Sequence, residues 1–342
     1  MSGVAPEFDV ICFGRSSIDL YSNDIGAKFE DITNFAAFVG GCPTNIAVGT
    51  RRLGLRSALV TAVGADPVGD FVLKFLQKEG VETSFVARKG DKRTSAVVLG
   101  IEPPNKFPLV FYRENCADIN LTIDDVAQIP VEKSEILLMT GTALSKEPSR
   151  SAAISLMERA KRAGTEVILD LDFRADQWQP DLRAYGVTLR ALLHYVDVVL
   201  GTEEELRALF LRDAAQVRIS DSQISAPVIE GDTDEIIEEV LQRGVSLVVL
   251  KRGANGSSVY QLGRARVDAP PFSVDVCNVL GAGDAFASGF IYGLIKRWDL
   301  GRCARMGNAT GAIVVTKHGC ANFMPTEQEA LAFMGEEVSC RP

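Results

Sequence analysis

Short runs rich in Val, Ile and Leu alternate with helical patterns along most of this chain of 342 residues. That rhythm restricts the fold more than any other feature. Residues 9–14, 58–63, 136–140, 166–171, 196–200 and 246–250 read as strands with few polar positions. Between them, residues 43–54 place Pro43 at a first helical position and Gly54 just past the end. Residues 67–80 repeat the design, with Phe71, Leu73, Phe75 and Leu76 as candidates for the buried face. Helical patterns over 149–163 and 234–243 stop at Gly164 and Gly244. Strands this apolar need cover on both faces. The pattern predicts an α/β fold: a mostly parallel central sheet with helices on either side.

Two regions break the rhythm. Residues 17–39 and 94–113 hold short strand-like pieces and turn residues, including the corner Pro103-Pro104-Asn105. Residues 94–100 and 109–113 are expected to pair as a hairpin. Together the two regions read as a small β lid projecting from the sheet edge, inserted within a single domain over 8–338. Residues 211–227 are polar and weakly periodic, as in a surface insertion.

Composition then narrows the function. With 46% hydrophobic residues the chain can bury a sizeable core. No apolar run reaches the ~18–20 residues that span a bilayer, and residues 1–7 lack the pattern of a secretory leader. A net charge of −9 weighs against nucleic acid as the main partner. Seven cysteines without a CxxC pair, and two distant histidines, weigh against zinc. They fit reduced thiols in a cytoplasm.

The chemistry concentrates in Asn278-Val279-Leu280-Gly281-Ala282-Gly283-Asp284-Ala285-Phe286, which runs into an apolar helix. Such glycines let successive N–H groups converge on one concavity, and a helix N-terminus adds positive potential for phosphate oxygens. A dinucleotide fingerprint does not fit, because Phe286 stands where its third glycine would be. No GxxxxGK[ST] loop occurs. Asp284 is either a plain helix cap or the acceptor of a hydroxyl proton beside a phosphate cradle, as phosphoryl transfer requires.

Gly281-Ala282-Gly283-Asp284 with Phe286 resembles the C-terminal signature of the ribokinase, or phosphofructokinase-B, family of carbohydrate kinases. Val39-Gly40-Gly41-Cys42-Pro43-Thr44-Asn45-Ile46-Ala47 resembles its N-terminal signature. The two occur in the family's order, and the resemblance covers about residues 8–328. It implies a ribokinase-like three-layer α/β sandwich with a β lid, sugar between lid and core, and ATP along the C-terminal half. It also implies Asp284 as catalytic base, with Gly281, Ala282 and Gly283 forming the anion hole.

On the sugar side, Asp19 follows a strand and matches a family residue that accepts hydrogen bonds from sugar hydroxyls. Gly40 and Gly41 are expected to let backbone approach the ligand, and Asn45 offers both donor and acceptor to a polyol. Arg15, Arg113 and Arg174 are candidates for a substrate carboxylate, since guanidinium matches it in bidentate fashion. Several further segments, including residues 170–174 and 318–320, resemble the branch of the family that phosphorylates the terminal hydroxyl of a keto-sugar acid. Which acid stays open, and fructose or ribose remain rival substrates. Lys251, Gly253 and Gly256 resemble the family's nucleotide-binding turn, and Asn308 lies where relatives close over adenine.

Two departures bear on cofactors. Many members carry Asp-Thr where this chain has Asn278-Val279, so a monovalent cation is not carried over. The family's Asn-x-x-Glu element appears as Thr202-Glu203-Glu204-Glu205, with Glu205 retained as an indirect partner of Mg²⁺. Magnesium is expected with ATP on charge grounds. A sugar-binding regulator without catalysis is the non-enzyme alternative, and exposed lid edges would allow a homodimer.

Overall fold

The structure is a computed structural model that describes residues 6–102, 106–218 and 227–336. From the start of the chain, β1 (Phe8–Phe13), β2 (Ser17–Ser22) and β3 (Phe35–Gly40) lead into α1 (Cys42–Arg52). Then come β4 (Ser57–Gly64), α2 (Pro67–Glu79), β5 (Val86–Lys89), β6 (Ser95–Leu99), β7 (Leu109–Tyr112) and the short α3 (Ile123–Val126). The middle of the chain forms β8 (Ser134–Thr140), α4 (Ser149–Ala163), β9 (Glu166–Asp170), α5 (Arg183–Leu192), β10 (Val198–Thr202) and α6 (Glu203–Leu209). After β11 (Val217–Arg218) and β12 (Val228–Ile229) follow α7 (Thr233–Gln242), β13 (Leu247–Lys251), β14 (Ser257–Tyr260) and β15 (Val267–Ala269). The chain ends in α8 (Ala282–Ile295), α9 (Leu300–Val315) and α10 (Glu327–Phe333).

Nine strands form one sheet in the order β15-β14-β13-β10-β9-β8-β1-β4-β5. It is parallel from β5 to β13, and β14 and β15 add an antiparallel edge. Successive strand residues point to opposite faces, and two cores result. Ile11, Phe13, Leu137, Leu169 and Val199 pack against α4 to α7 on one side. Val10, Cys12, Leu138, Ile168 and Leu200 pack against α1, α2, α8 and α9 on the other. The architecture is the three-layer α/β sandwich that the alternating pattern predicts.

A second sheet, in the order β3-β2-β6-β7, stands apart from the first. The expected hairpin is β6 paired antiparallel to β7, while the Pro103-Pro104-Asn105 corner lies outside the described residues. Gly80 and Gly164 end their helices in left-handed conformation, as their positions suggest.

Some expectations fail locally. Phe71 is 39% exposed, because α2 buries Gly69, Val72 and Leu76 and turns Phe71 outward. The strand expected at 196–200 starts and ends two residues later, at Val198–Thr202. Within the insertion read over 211–227, β11 pairs with β12 in a two-stranded ribbon, and residues 219–226 lie outside the description. No helix of the described residues is long and apolar enough to cross a membrane.

Candidate active site

The parallel strands deliver their chemistry at one end, as open α/β sheets do at the carboxyl ends of strands. β13, β10, β9, β8 and β1 are sheet neighbours. Lys251 and Thr202 end β13 and β10, Asp170 ends β9 just before Asp172, Thr140 ends β8, and Arg15 follows β1. β2 adds Asp19 from the second sheet. The first turns of α1 and α8 add Asn45 and Asp284.

Asp284 is the third residue of α8. The helix is capped by Gly281 at φ 79° with no side-chain bond, so the simple capping reading of Asp284 is corrected. Its carboxylate instead accepts a hydrogen bond from Asn45 Nδ2 at 2.6 Å. Asn45 is not a cap either, since α1 is capped by Gly41 without a side-chain bond. Burial raises the pKa of Asp284 above the ordinary carboxylate value; the Asn45 bond opposes this and the Asp172 charge adds to it. At the helix start, Ala282 N–H already donates to the Val279 carbonyl at 3.3 Å. The N–H groups of Gly283 and Asp284 find no acceptor among the described residues. The donors open to an anion are therefore Gly283 and Asp284, and Ala282 is at most a shared one.

On the side of the second sheet, Arg15 donates to Ser17 Oγ at 2.7 Å, and Ser17 donates to Asp19 Oδ1 at 2.6 Å. Burial raises the Asp19 pKa, with Arg15 pulling it back down. Gly40 and Gly41 serve this cluster. A Cβ at Gly40 would sit 1.9 Å from Asp19 Oδ2, and one at Gly41 would sit 2.3 Å from the Arg15 carbonyl. Among the described residues, what approaches these glycines closely is the protein's own Asp19 and Arg15.

The three arginines separate clearly. Arg113 is buried and paired with Asp118 at 2.6 Å, and also donates to Thr142 O and Gln177 Oε1. Arg174 pairs with Asp172 at 3.1 Å, and this charge with its acidic neighbours raises its pKa against the opposing effect of burial. Arg15 is 8% exposed, lies over the Phe111 ring at 5.1 Å and has no ion-pair partner among the described residues. Arg113 and Arg174 are thus spoken for by the chain's own carboxylates, and Arg15 is not.

A cavity of about 720 Å³ opens beside α8, and Lys251, Gly253, Gly256, Asn308, Ala282 and Gly283 all line it. The four residues singled out for nucleotide therefore share one space with the glycine-rich turn. Asn308 donates its amide to the Ala269 and Pro270 carbonyls at 3.1 and 2.9 Å. Both donors of its amide are thereby used to hold the cavity wall, and Asn308 can meet a base only through its amide oxygen or by packing. Lys251 Nζ lies 3.0 Å from Asp170 Oδ2 and 3.8 Å from Glu205 Oε2. Glu205 closes a capping box with Thr202, accepting its N–H at 2.8 Å. That bond occupies one carboxylate oxygen, and among the described residues no group of three or more His, Cys, Asp or Glu could hold a metal.

Residues 7–327 match the profile described as pfkB family carbohydrate kinase. The chain belongs to this family. A 5-dehydro-2-deoxygluconokinase of Geobacillus thermodenitrificans strain NG80-2 is 31% identical to it over 335 residues, covering 98% of this chain and 95% of the relative. Among solved structures, a putative ribokinase II from E. coli superposes with a TM-score of 0.84 at 20% identity, covering 96% of this chain and 99% of its own. An uncharacterized sugar kinase from Pyrococcus horikoshii, in complex with ATP, superposes with a TM-score of 0.78 at 25% identity, covering 96% and 99%. The fold is ribokinase-like.

As a pfkB carbohydrate kinase, the chain keeps functional-looking groups that sequence reasoning passed over. Asp170 and Asp172 stand in a segment where only Arg174 drew attention. Burial, opposed by Lys251, pushes the Asp170 pKa up to about 7. Asp172 sits at φ 34° and accepts from Thr142 Oγ1 at 2.7 Å. Two acids at the end of an apolar strand were the available signal. The apolar wall of the cavity at Phe272, Val276 and Val279 comes from an irregular segment with no periodicity to betray it.

Proposed function

We propose that this pfkB kinase transfers the γ-phosphoryl group of ATP to the terminal hydroxyl of a keto-sugar acid, 5-dehydro-2-deoxygluconate, in a cytoplasmic setting. One observation carries the reading: the Asp284 carboxylate and the free N–H groups of Gly283 and Asp284 share the first turn of α8, between the cavity and the Arg15–Asp19 cluster. The carboxylate takes the hydroxyl proton, the hydroxyl oxygen attacks the γ-phosphorus, and the bond to ADP breaks. The two N–H groups meet the charge on the transferred group. ATP occupies the cavity lined by Lys251, Gly253 and Gly256. Mg²⁺ would come with the ATP phosphates, and Glu205 would act on it only indirectly. When bound it offsets the charge of the phosphates.

The acid is assigned to Arg15. Arg15 is buried and reaches Asp19 only through Ser17, with no direct ion pair among the described residues, so a substrate carboxylate would give its guanidinium a direct partner. The second sheet, through Asp19, acts as the lid over the sugar, and residues 8–338 act as one domain. Its edge strand β7 exposes Val110 and Tyr112 and supports pairing with a second copy. The six free cysteines among the described residues agree with a reducing compartment.

An ATP-consumption assay tests this with 5-dehydro-2-deoxygluconate, 2-keto-3-deoxygluconate, fructose and ribose. The first acid should give the highest kcat/KM. Preference for the second acid moves the substrate but keeps the carboxylate argument. Preference for a neutral sugar defeats it, and no turnover with any of them leaves a sugar-binding regulator.

A further inference from the structure

Lys251 stands at the threshold between the cavity and the catalytic turn. It ends β13, lines the cavity, and its side chain is 10% exposed. A Cβ built on Gly283 would have Lys251 Nζ as its nearest neighbour, at 3.4 Å. The same ammonium lies 3.2 and 3.0 Å from the two oxygens of Asp170, while Glu205 at 3.8 Å is beyond a hydrogen bond. An ammonium has three donors, and Asp170 cannot take them all. The ammonium lies beside the first turn of α8, where the N–H groups of Gly283 and Asp284 are also without acceptors among the described residues.

A lysine kept only to join strands would be a poor choice here. Asp170, Asp172, Glu205 and Asp284 crowd the same end of the sheet and repel one another. A triphosphate entering that field needs a cation at the point of transfer.

We propose that Lys251 is a catalytic residue whose ammonium binds the γ-phosphoryl group alongside the N–H groups of Gly283 and Asp284, with Asp170 and Glu205 as positioning residues. The inference rests on the kinase reading above and deepens it. Lys251 keeps its proton throughout: the phosphorus–oxygen bond to ADP breaks, that to the hydroxyl oxygen forms, and Asp284 takes the hydroxyl proton.

The test compares ADP with a non-hydrolysable ATP analogue, by calorimetry, in wild type, Lys251→Met and Lys251→Arg. Lys251→Met should keep its ADP affinity and lose roughly 10–100-fold for the analogue, the range of a charge-assisted hydrogen bond. Its kcat should fall about 10²–10³-fold, as when a transition-state donor is removed, and Lys251→Arg should recover part of both. Because Lys251→Met strands Asp170, the double variant Lys251→Met/Asp170→Asn is measured beside it. Equal losses for ADP and the analogue would mean that Lys251 only props the cavity, and no loss would mean that it touches no phosphate. Either result overturns the proposal. Wild-type turnover on the sugar panel is run in parallel, so that failure of the kinase reading shows as an inactive wild type, separately from the binding comparison.

Discussion

Asn45 Nδ2 donates to Asp284 Oδ2 across 2.6 Å, joining residues 239 positions apart. The contact exists because α1 and α8 pack side by side on one face of the sheet. The two glycine-bearing motifs of the sequence thus meet in one hydrogen bond. If Asp284 is the base, Asp284→Asn should preserve that bond through its amide oxygen and retain ATP and sugar binding. Its kcat should fall by roughly 10²–10⁴-fold, the contribution of a positioned base. Steady-state kinetics with calorimetry checks both parts, and turnover near that of wild type would remove Asp284 from the mechanism.

The raised pKa of Asp284 has consequences for activity and for stability. A base must be ionised, so kcat should decline on the acid side at a pH above the ordinary carboxylate range. Asn45→Leu removes the bond that lowers this pKa and should move the acid limb further up. For stability the sign runs the other way. A carboxyl whose folded pKa exceeds its unfolded value stabilises most when protonated, and that contribution is lost as pH rises through the folded pKa. Asp284→Asn cannot ionise, so its Tm should exceed that of wild type at neutral pH. The difference should close below about pH 4, where the unfolded carboxyl is itself protonated. Thermal melts of both proteins across pH read this directly.

How much of this was legible in the sequence depends on whether a residue's task is local. Strands such as Phe8–Phe13 and the helix ends at Gly80 and Gly164 follow from apolar runs and left-handed glycines, which are local matters. Lys251, Gly253 and Gly256, singled out by their resemblance to the family's nucleotide-binding turn, line one cavity. What the sequence could not show is which partner each group takes. Gly40 reads as a glycine beside a ligand, but its constraint is the Asp19 carboxylate packed against it from the neighbouring strand β2. Asn308 lines the cavity as expected, yet both of its amide donors go to a loop 38 and 39 residues away. Arg15, Arg113 and Arg174 look equivalent until Asp118 and Asp172 are seen to hold two of them.

Arg113 should therefore behave as a structural residue. Its pair with Asp118 is almost wholly buried, at 3% and 0% side-chain exposure. Removing one partner of such a pair leaves a buried charge uncompensated and costs about 3–5 kcal/mol. Arg113→Met should lower the denaturation midpoint accordingly, and any folded fraction should lose acid and neutral sugars to a similar degree. Arg113→Met/Asp118→Leu, which removes both charges, should recover much of the stability. A stable Arg113→Met protein that fails only on acids would return Arg113 to the substrate site.

Arg15 should show the opposite behaviour. Its guanidinium is buried, bonded to Ser17 and stacked on Phe111, but carries no opposing charge within ion-pair reach among the described residues. Replacing it with Met keeps the apolar stem and removes a buried charge, while Asp19 can take up a proton in response, so stability should change little. The loss should fall on substrates that bear a carboxylate, by roughly 10–100-fold in kcat/KM, as expected for a hydrogen bond between charged groups. Neutral sugars never meet that charge, so their weaker turnover should change little, and the ratio between acid and neutral substrates should shrink. One indirect route must be separated. Arg15 lowers the Asp19 pKa, so its removal lets Asp19 protonate more readily, and any effect through Asp19 would strike acids and neutral sugars alike and fade as pH rises. A selective loss on acids that persists at high pH identifies Arg15 as the carboxylate partner. A uniform loss across the panel would show that its task is to hold Ser17 and Asp19 in place.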